Sequence, residues 1–456
     1  MHREIRLLNH GWSFSPTDER RFAAVRCPAR GWTPVVLPHQ NAPLPVNCFS
    51  QSRSQFVSWY RLHLPTPAGV GDRRVFLDFD GVMMVAKVHV NGKAAFTHRG
   101  GYVGFSVDVT PFLRPRGGAD NVVAVRVDAR LHDDIPPCGK VMDFQTFGGL
   151  YRDVRLRVVP GCYLGDLFVR TPRALAARKT FAATAPIRNT RGGDWRGAVR
   201  LELCDLRGRR IASGPAAPCA APGGGTAEIA LTLEGLAGIK LWDVQNPRLY
   251  LARLALLDGS ETLDCVEAHF GFREAVFSKE GPFVLNGKPL KLIGLNRHQT
   301  YPYIGAAAPA RLQRRDADCD EIGLLVFEEI PGWGHIGDAG WKDFACRDVE
   351  AMIRRDRNHP SIVLWGVRIN ESGDDHDLYT RTNALARSLD PSRPTGGVRW
   401  GVKSAFLEDV FTANDYAYKP PEQIINEPPV TPYLITEYGP LTDPRRTASM
   451  EIQVRF

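Results

Sequence analysis

Ser361-Ile362-Val363-Leu364-Trp365-Gly366-Val367-Arg368-Ile369-Asn370-Glu371 is an apolar run that closes on a carboxylate. A run of this kind predicts a strand covered on both faces, as in a parallel sheet flanked by helices. A second run has the same form: Pro432-Tyr433-Leu434-Ile435-Thr436-Glu437-Tyr438-Gly439. Carboxylates at the C-terminal ends of parallel strands stand where such sheets place their chemistry. Two of them on different strands suit sugar-bond cleavage, with one as acid/base and the other as nucleophile. Read singly, each glutamate is equally a solvated strand end.

Working outward, βα alternation surrounds these runs. Lys291–Asn296 and Leu324–Ile330 read as strands. Pro309–Asp320, Phe344–Arg357 and Leu378–Leu389 read as helices, the last closed by Asp390-Pro391. Such alternation predicts a parallel barrel or a doubly wound sheet. Upstream of about residue 275 the pattern is all-β. Gln55–Leu64, Arg74–Phe79, Asn121–Val127 and Tyr151–Val159 alternate or run apolar between Gly, Pro and Asp turns. Asn91-Gly92 is the signal of a tight hairpin. Val199–Cys204 and Ala227–Leu233 continue with a period of two, which suggests a second, smaller sandwich.

The 456 residues suit roughly three domains of ~150 residues each. Hydrophobic residues at 43% and charged residues at 24% describe an ordinary globular chain. The net charge of +8 is spread among acids and not blocked, which argues against a nucleic-acid partner. There is no apolar run long enough for a membrane span, and Met1–His10 lacks the apolar core of a secretory signal. Nine scattered cysteines without a Cys-x-x-Cys pair fit reduced thiols, so a cytoplasmic location is expected. His-Glu-x-x-His, Walker and Gly-x-Ser-x-Gly motifs are absent.

An ordered set of motifs resembles glycoside hydrolase family 2, the family of β-galactosidases, β-glucuronidases and β-mannosidases. The set comprises Gly148-Gly149-Leu150-Tyr151-Arg152-Asp153-Val154, Phe270-Gly271-Phe272-Arg273, Leu285-Asn286-Gly287-Lys288-Pro289, Gly294-Leu295-Asn296-Arg297-His298-Gln299, Arg357-Asn358-His359-Pro360-Ser361 and Trp365–Glu371. The resemblance implies a jelly-roll sugar-binding domain over 1–160 and an immunoglobulin-like sandwich over 161–274. It implies a (β/α)8 TIM barrel over 275–456. It also implies Glu371 as acid/base, Glu437 as nucleophile and Asn370 as the partner of the sugar 2-hydroxyl. His298 matches a sugar-contacting histidine, or is a structural one. Tyr416 matches the tyrosine that holds the nucleophile, or is a core tyrosine. Trp333 reads as a stacking platform or a packing tryptophan. Asp143 aligns with an aspartate that reaches across to the sugar, or caps a loop. No cofactor is implied, although some relatives bind Mg²⁺ beside the acid/base; no ligand cluster is visible in the sequence. The expected partner is a small carbohydrate, and the resemblance allows a homo-oligomer.

Two departures from the family pattern are legible. Arg314–Asp318 runs directly into Cys319–Gly323, which omits the second strand with its Arg-x-Ser-His-Tyr-Pro motif. The chain also ends at Phe456, before an eighth strand. The 275–456 stretch falls well short of the ~250 residues of a complete barrel. The expectation is a partial barrel lacking its second and eighth strands. Two functions fit it: a retaining β-galactosidase-like hydrolase, or an inactive family 2 remnant that at most binds carbohydrate.

Overall fold

The computed structural model describes residues 3–27, 30–45, 50–139, 142, 144–298, 300–401, 403–416, 430–437 and 452–453. Strands dominate, and among the described residues α-helices appear only in the C-terminal part. The first unit packs two antiparallel sheets. One has six strands in the order Thr33–Val35, Trp12–Ser15, Val57–Leu64, Asn121–Asp128, Val85–Val90 and Lys93–Arg99; the other has four, Glu4–Leu7, Val154–Val159, Arg74–Phe79 and Phe105–Asp108. Alternation fixes which side of each strand faces inward: Val75, Leu77 and Phe79 are buried while their neighbours are not. Their side chains meet Tyr60, Val88, Val125 and Leu156 between the sheets. Asn91 and Gly92 both have positive φ, 53° and 83°, the geometry that a two-residue hairpin of matching twist requires.

A second pair of antiparallel sheets follows over Cys162–Phe270, closed around Phe181, Leu201, Leu254 and Phe270. Past a short antiparallel sheet of Ala275–Phe277, Phe283–Leu285 and Lys288–Pro289, parallel pairing appears. Val326–Glu329, Ile362–Gly366 and Thr395–Gly396 lie side by side; two residues on, Arg399–Trp400 pairs with Phe411–Asn414, and that strand with Tyr433–Glu437. The helices are α1 (Ala310–Ala317), α2 (Cys319–Ile322), α3 (Ala339–Asp356) and α4 (His376–Leu389). Helix α3 starts five residues earlier than the periodicity suggests, because Asp338 caps it by accepting from the Trp341 backbone N–H at 2.9 Å. Its buried Trp341, Ala345, Val349, Met352 and Ile353 form one apolar face.

Two expected strands are shorter than predicted. Lys291–Asn296 is extended only at Ile293–Gly294, which pairs antiparallel with Ile452–Gln453. The run ending at Glu371 leaves the sheet at Gly366. Arg368 is the reason. Buried to 1% exposure, its guanidinium must find partners inside. It finds Asp374 at 2.6 Å and the Gly373 carbonyl at 3.3 Å, both beyond Glu371. The chain therefore turns around that side chain.

The Arg357–Ser361 motif joins the units. Asn358 donates to the Leu167 carbonyl at 2.7 Å and accepts from the Val169 N–H at 2.8 Å. Arg357 pairs with Asp166 at 2.6 Å and lies over the Phe168 ring at 4.2 Å. Asp320 receives the Ser361 N–H at 3.0 Å and the His359 ring at 2.6 Å. These bonds fix the base of the strand that leads to Glu371.

Asp348 on α3 is buried, and burial pushes its carboxyl up to about 7, against a smaller lowering by Arg347. Between about pH 4 and 7 the fold therefore holds a proton that the unfolded chain has released. Stability accordingly falls as pH rises through that window. Asp348→Asn is expected to stabilise the protein by about 2–4 kcal/mol at pH 8 and by little at pH 4. Urea unfolding at both pH values measures this.

Candidate active site

The chemistry-bearing side chains gather at the C-terminal ends of the parallel strands. Glu371 sits at φ 53°, a left-handed conformation that costs a non-glycine residue roughly 1–3 kcal/mol and tends to mark functional positions. Its N–H is held by the Val398 carbonyl at 2.9 Å. Alongside it runs the Pro331–Gly334 loop. Ile330 N–H bonds the Gly366 carbonyl at 3.1 Å, and Gly334 N–H bonds the Asn370 carbonyl at 2.8 Å. Gly332, at φ 153°, lets this loop approach; a Cβ there would stand 2.7 Å from Ile369.

That docking aims Trp333 at Glu371. The indole Nε1–H donates to Oε2 at 2.8 Å. The other carboxylate oxygen, Oε1, accepts from Asn414 Nδ2 at 2.7 Å, and the same amide lies 3.5 Å from Asn370 Oδ1. Asn414 is also the sheet partner of Glu437, across a bulge after Ala413. Its Oδ1 accepts from the Thr436 hydroxyl at 2.9 Å. On the far side, the Tyr416 hydroxyl donates to Glu437 Oε2 at 2.6 Å. A connected set thus runs from Trp333 through Glu371, Asn414 and Glu437 to Tyr416. Glu329, the last residue of the Val326–Glu329 strand, stands near it. Its carboxyl is pushed up by the surrounding protein and, second, by the negative charge of Glu437. The side chain keeps solvent access, so the Glu437 charge is the firmer of the two causes.

The structure brings Glu371, Asn370, Trp333, Tyr416 and Glu437 together. His298 is exposed, with its ring 6.5 Å from Phe144 of the N-terminal unit. Asp143, next to Phe144, lies outside the described residues. Beyond the platform and packing readings of its ring, Trp333 donates its N–H to Glu371. Asn414 had no role assigned from sequence. Its signal was available: it closes the apolar run Val410-Phe411-Thr412-Ala413 as the glutamates close theirs. Among the described residues, no group of three or more His, Cys, Asp or Glu side chains is placed to hold a metal ion. No described helix is long and apolar enough to cross a membrane.

Three family models match successive parts of the sequence. They are glycosyl hydrolases family 2, sugar binding domain, over residues 29–160; glycosyl hydrolases family 2 over 162–273; and glycosyl hydrolases family 2, TIM barrel domain, over 317–444. The chain belongs to glycoside hydrolase family 2. Among its family 2 relatives, a β-galactosidase of Thermoanaerobacter pseudethanolicus is 38% identical over 468 residues, covering 96% of this chain and 61% of that protein. One of Thermoanaerobacterium thermosulfurigenes is 36% identical, covering 96% and 65%. In structure, the chain is similar to Bacteroides uniformis β-glucuronidase 2 covalently bound to cyclophellitol-6-carboxylate aziridine. The TM-score is 0.81 at 26% identity, over 91% of this chain and 55% of that one. The family 2 chain thus spans about three-fifths of the length of these relatives.

Proposed function

We propose that this chain carries the active site of a retaining, exo-acting β-glycosidase of the β-galactosidase type, with Glu371 as acid/base and Glu437 as nucleophile. The observation that carries this is Asn414, which bonds Glu371 while standing in register with Glu437. That bond and that register support one site for two carboxylates, one ending a strand and one following a strand.

Hydrogen-bond donors hold both carboxylates in place. Glu437 receives the Tyr416 O–H, which favours the ionised form that attacks the anomeric carbon. As that bond forms, the glycosidic bond breaks, and its oxygen takes the proton of Glu371. In the second half, Glu371 removes a proton from water, which displaces Glu437 from the anomeric carbon. Trp333 and Asn414 each donate to one oxygen of Glu371. A protonated carboxyl oxygen keeps a lone pair, so both donors are compatible with both halves of the cycle. Asn370, at the neighbouring position, is assigned to the sugar 2-hydroxyl. The two relatives aligned over 96% of the chain are named β-galactosidase, which favours a terminal β-galactoside.

We further assign 1–160 to a jelly-roll sugar-binding domain, 161–274 to an immunoglobulin-like domain and 275–456 to a barrel without its second strand. In support, α1 is followed at once by α2 and then by the Val326–Glu329 strand. Ile293, Leu295, Ile322 and Leu324, on the elements flanking that junction, are 66%, 75%, 59% and 48% exposed. The expected loss of an eighth strand turns on residues after Glu437, of which only 452–453 are described. The open apolar edge is also what favours the second reading, a chain that binds carbohydrate without turning it over. Assay of the purified chain on aryl β-galactosides, β-glucuronides and β-mannosides separates the two. Turnover of one class upholds the enzyme, and saturable sugar binding without turnover upholds the remnant.

If turnover is seen, Trp333→Phe keeps the ring and removes the N–H on Glu371. A hydrogen bond to a charged group contributes about 1.5–3 kcal/mol. The variant is expected to lose at least about ten-fold in kcat/KM on phenyl β-galactoside. It should lose much less on the 2,4-dinitrophenyl analogue, whose leaving group needs no proton. Equal losses on both substrates would refute the assignment of Glu371 as the acid.

A further inference from the structure

Trp400 stands apart from the other tryptophans. The chain has nine, and Trp400 alone among them is exposed, at 61%. A single exposed aromatic is by itself unremarkable; its position is not. The Arg399–Trp400 strand pairs in parallel with Phe411–Asn414, and the partner of Trp400 is Asn414, the residue bonded to Glu371. Its ring lies 5.7 Å from that of Tyr416, at 37°, and Tyr416 bonds Glu437. The indole therefore stands beside two residues that hold the carboxylates, and most of its surface is open to solvent.

The strand beneath it is anchored through Arg399. Arg399 and Glu408 form an ion pair in which both side chains are fully buried. The Arg399 guanidinium is 4.4 Å from the Phe411 ring and also bonds the Ala405 carbonyl at 3.0 Å.

We propose that Trp400 is the platform for the leaving group: its exposed face stacks on the apolar face of the sugar or aryl ring attached to the scissile oxygen. This rests on the assignment of Glu371 as acid/base. The leaving oxygen takes its proton from Glu371, so the group it carries extends from Glu371 toward the mouth of the site. The cleaved sugar lies deeper, between the carboxylates. Trp400, beside the partner of Glu371 and open to solvent, borders the first position and not the second. Indole supplies a flat apolar surface of the size of a pyranose ring and an N–H for a hydroxyl.

Two substrates test this. Lactose carries a sugar leaving group, and β-galactosyl fluoride carries none that could stack. In Trp400→Ala the ratio of kcat/KM for lactose to that for the fluoride is expected to fall roughly five- to ten-fold. Trp400→Phe should restore most of it. Capture of the glycosyl-enzyme by added glucose should fall in parallel, because the acceptor uses the same surface. An unmoved ratio, whether both substrates suffer equally or neither suffers, overturns the platform and leaves the catalytic pair intact. An unsubstituted chain that turns over neither substrate removes the catalytic assignment, and the platform with it.

Discussion

Replacing Glu437 with Ala is expected to abolish turnover of an aryl β-galactoside by at least about 10⁴-fold, the scale of losing a covalent nucleophile. Tyr416 would be left facing a gap, with its O–H no longer spent on the carboxylate. Added azide should fill that gap and attack the anomeric carbon from the vacated face. The product is then an α-glycosyl azide, of inverted configuration. Glu371→Ala behaves differently. The nucleophile is intact, so a dinitrophenyl galactoside still forms the glycosyl-enzyme, and azide then gives the β-configured product. Polarimetry or NMR of the two azides reads the roles directly. If Glu437→Ala kept its activity, or if the two azides had swapped configurations, the assignment would be wrong. Opposite outcomes are expected because the two carboxylates act on opposite faces of the anomeric carbon.

The second large effect lies at Asp390, the C-cap residue of α4, which bonds the Ile362–Gly366 strand. Asp390 is fully buried and accepts from Trp365 Nε1 at 3.1 Å, the Ser392 N–H at 3.0 Å and Arg393 Nη1 at 2.6 Å. Arg393 in turn donates to the carbonyls of Ile362 and His359, each at 2.7 Å. Asp390→Ala leaves a buried guanidinium without its counter-charge, which costs about 3–5 kcal/mol. Hydrogen exchange of the Ile362–Gly366 amides in urea should show that loss at neutral pH. Burial raises the Asp390 carboxyl and Arg393 and Ser392 lower it by more, so its folded value lies below the ordinary one. Its contribution is therefore complete above about pH 4 and fades as pH falls through the folded value. The gap between variant and parent should close in the same range. A loss of activity without a loss of protection would mean that this network acts on the site and not on the strand.

Much of this was legible in the chain. Period-two alternation over Arg74–Phe79 gave a strand with those bounds, and Asn91-Gly92 gave the hairpin. The two glutamates were visible because a carboxylate that closes an apolar run is out of keeping with its neighbours. Local patterns misplaced the end of the Glu371 strand. Arg368 is buried and pairs with Asp374, six residues on and beyond Glu371; apolar periodicity does not register that pairing. His298 illustrates the opposite case, since its motif was plain but its position beside Phe144 depends on how two domains meet.

The sequence by itself determined the element types, the family and the pair of carboxylates, because periodicity and residue chemistry are local properties. Only the tertiary structure decided what those carboxylates touch. Trp333, Asn414, Tyr416 and Trp400 come from segments up to tens of residues away. They converge because parallel strands bring distant chain positions into register at one end of the sheet. A hydrogen bond across that register leaves no periodic trace along the chain.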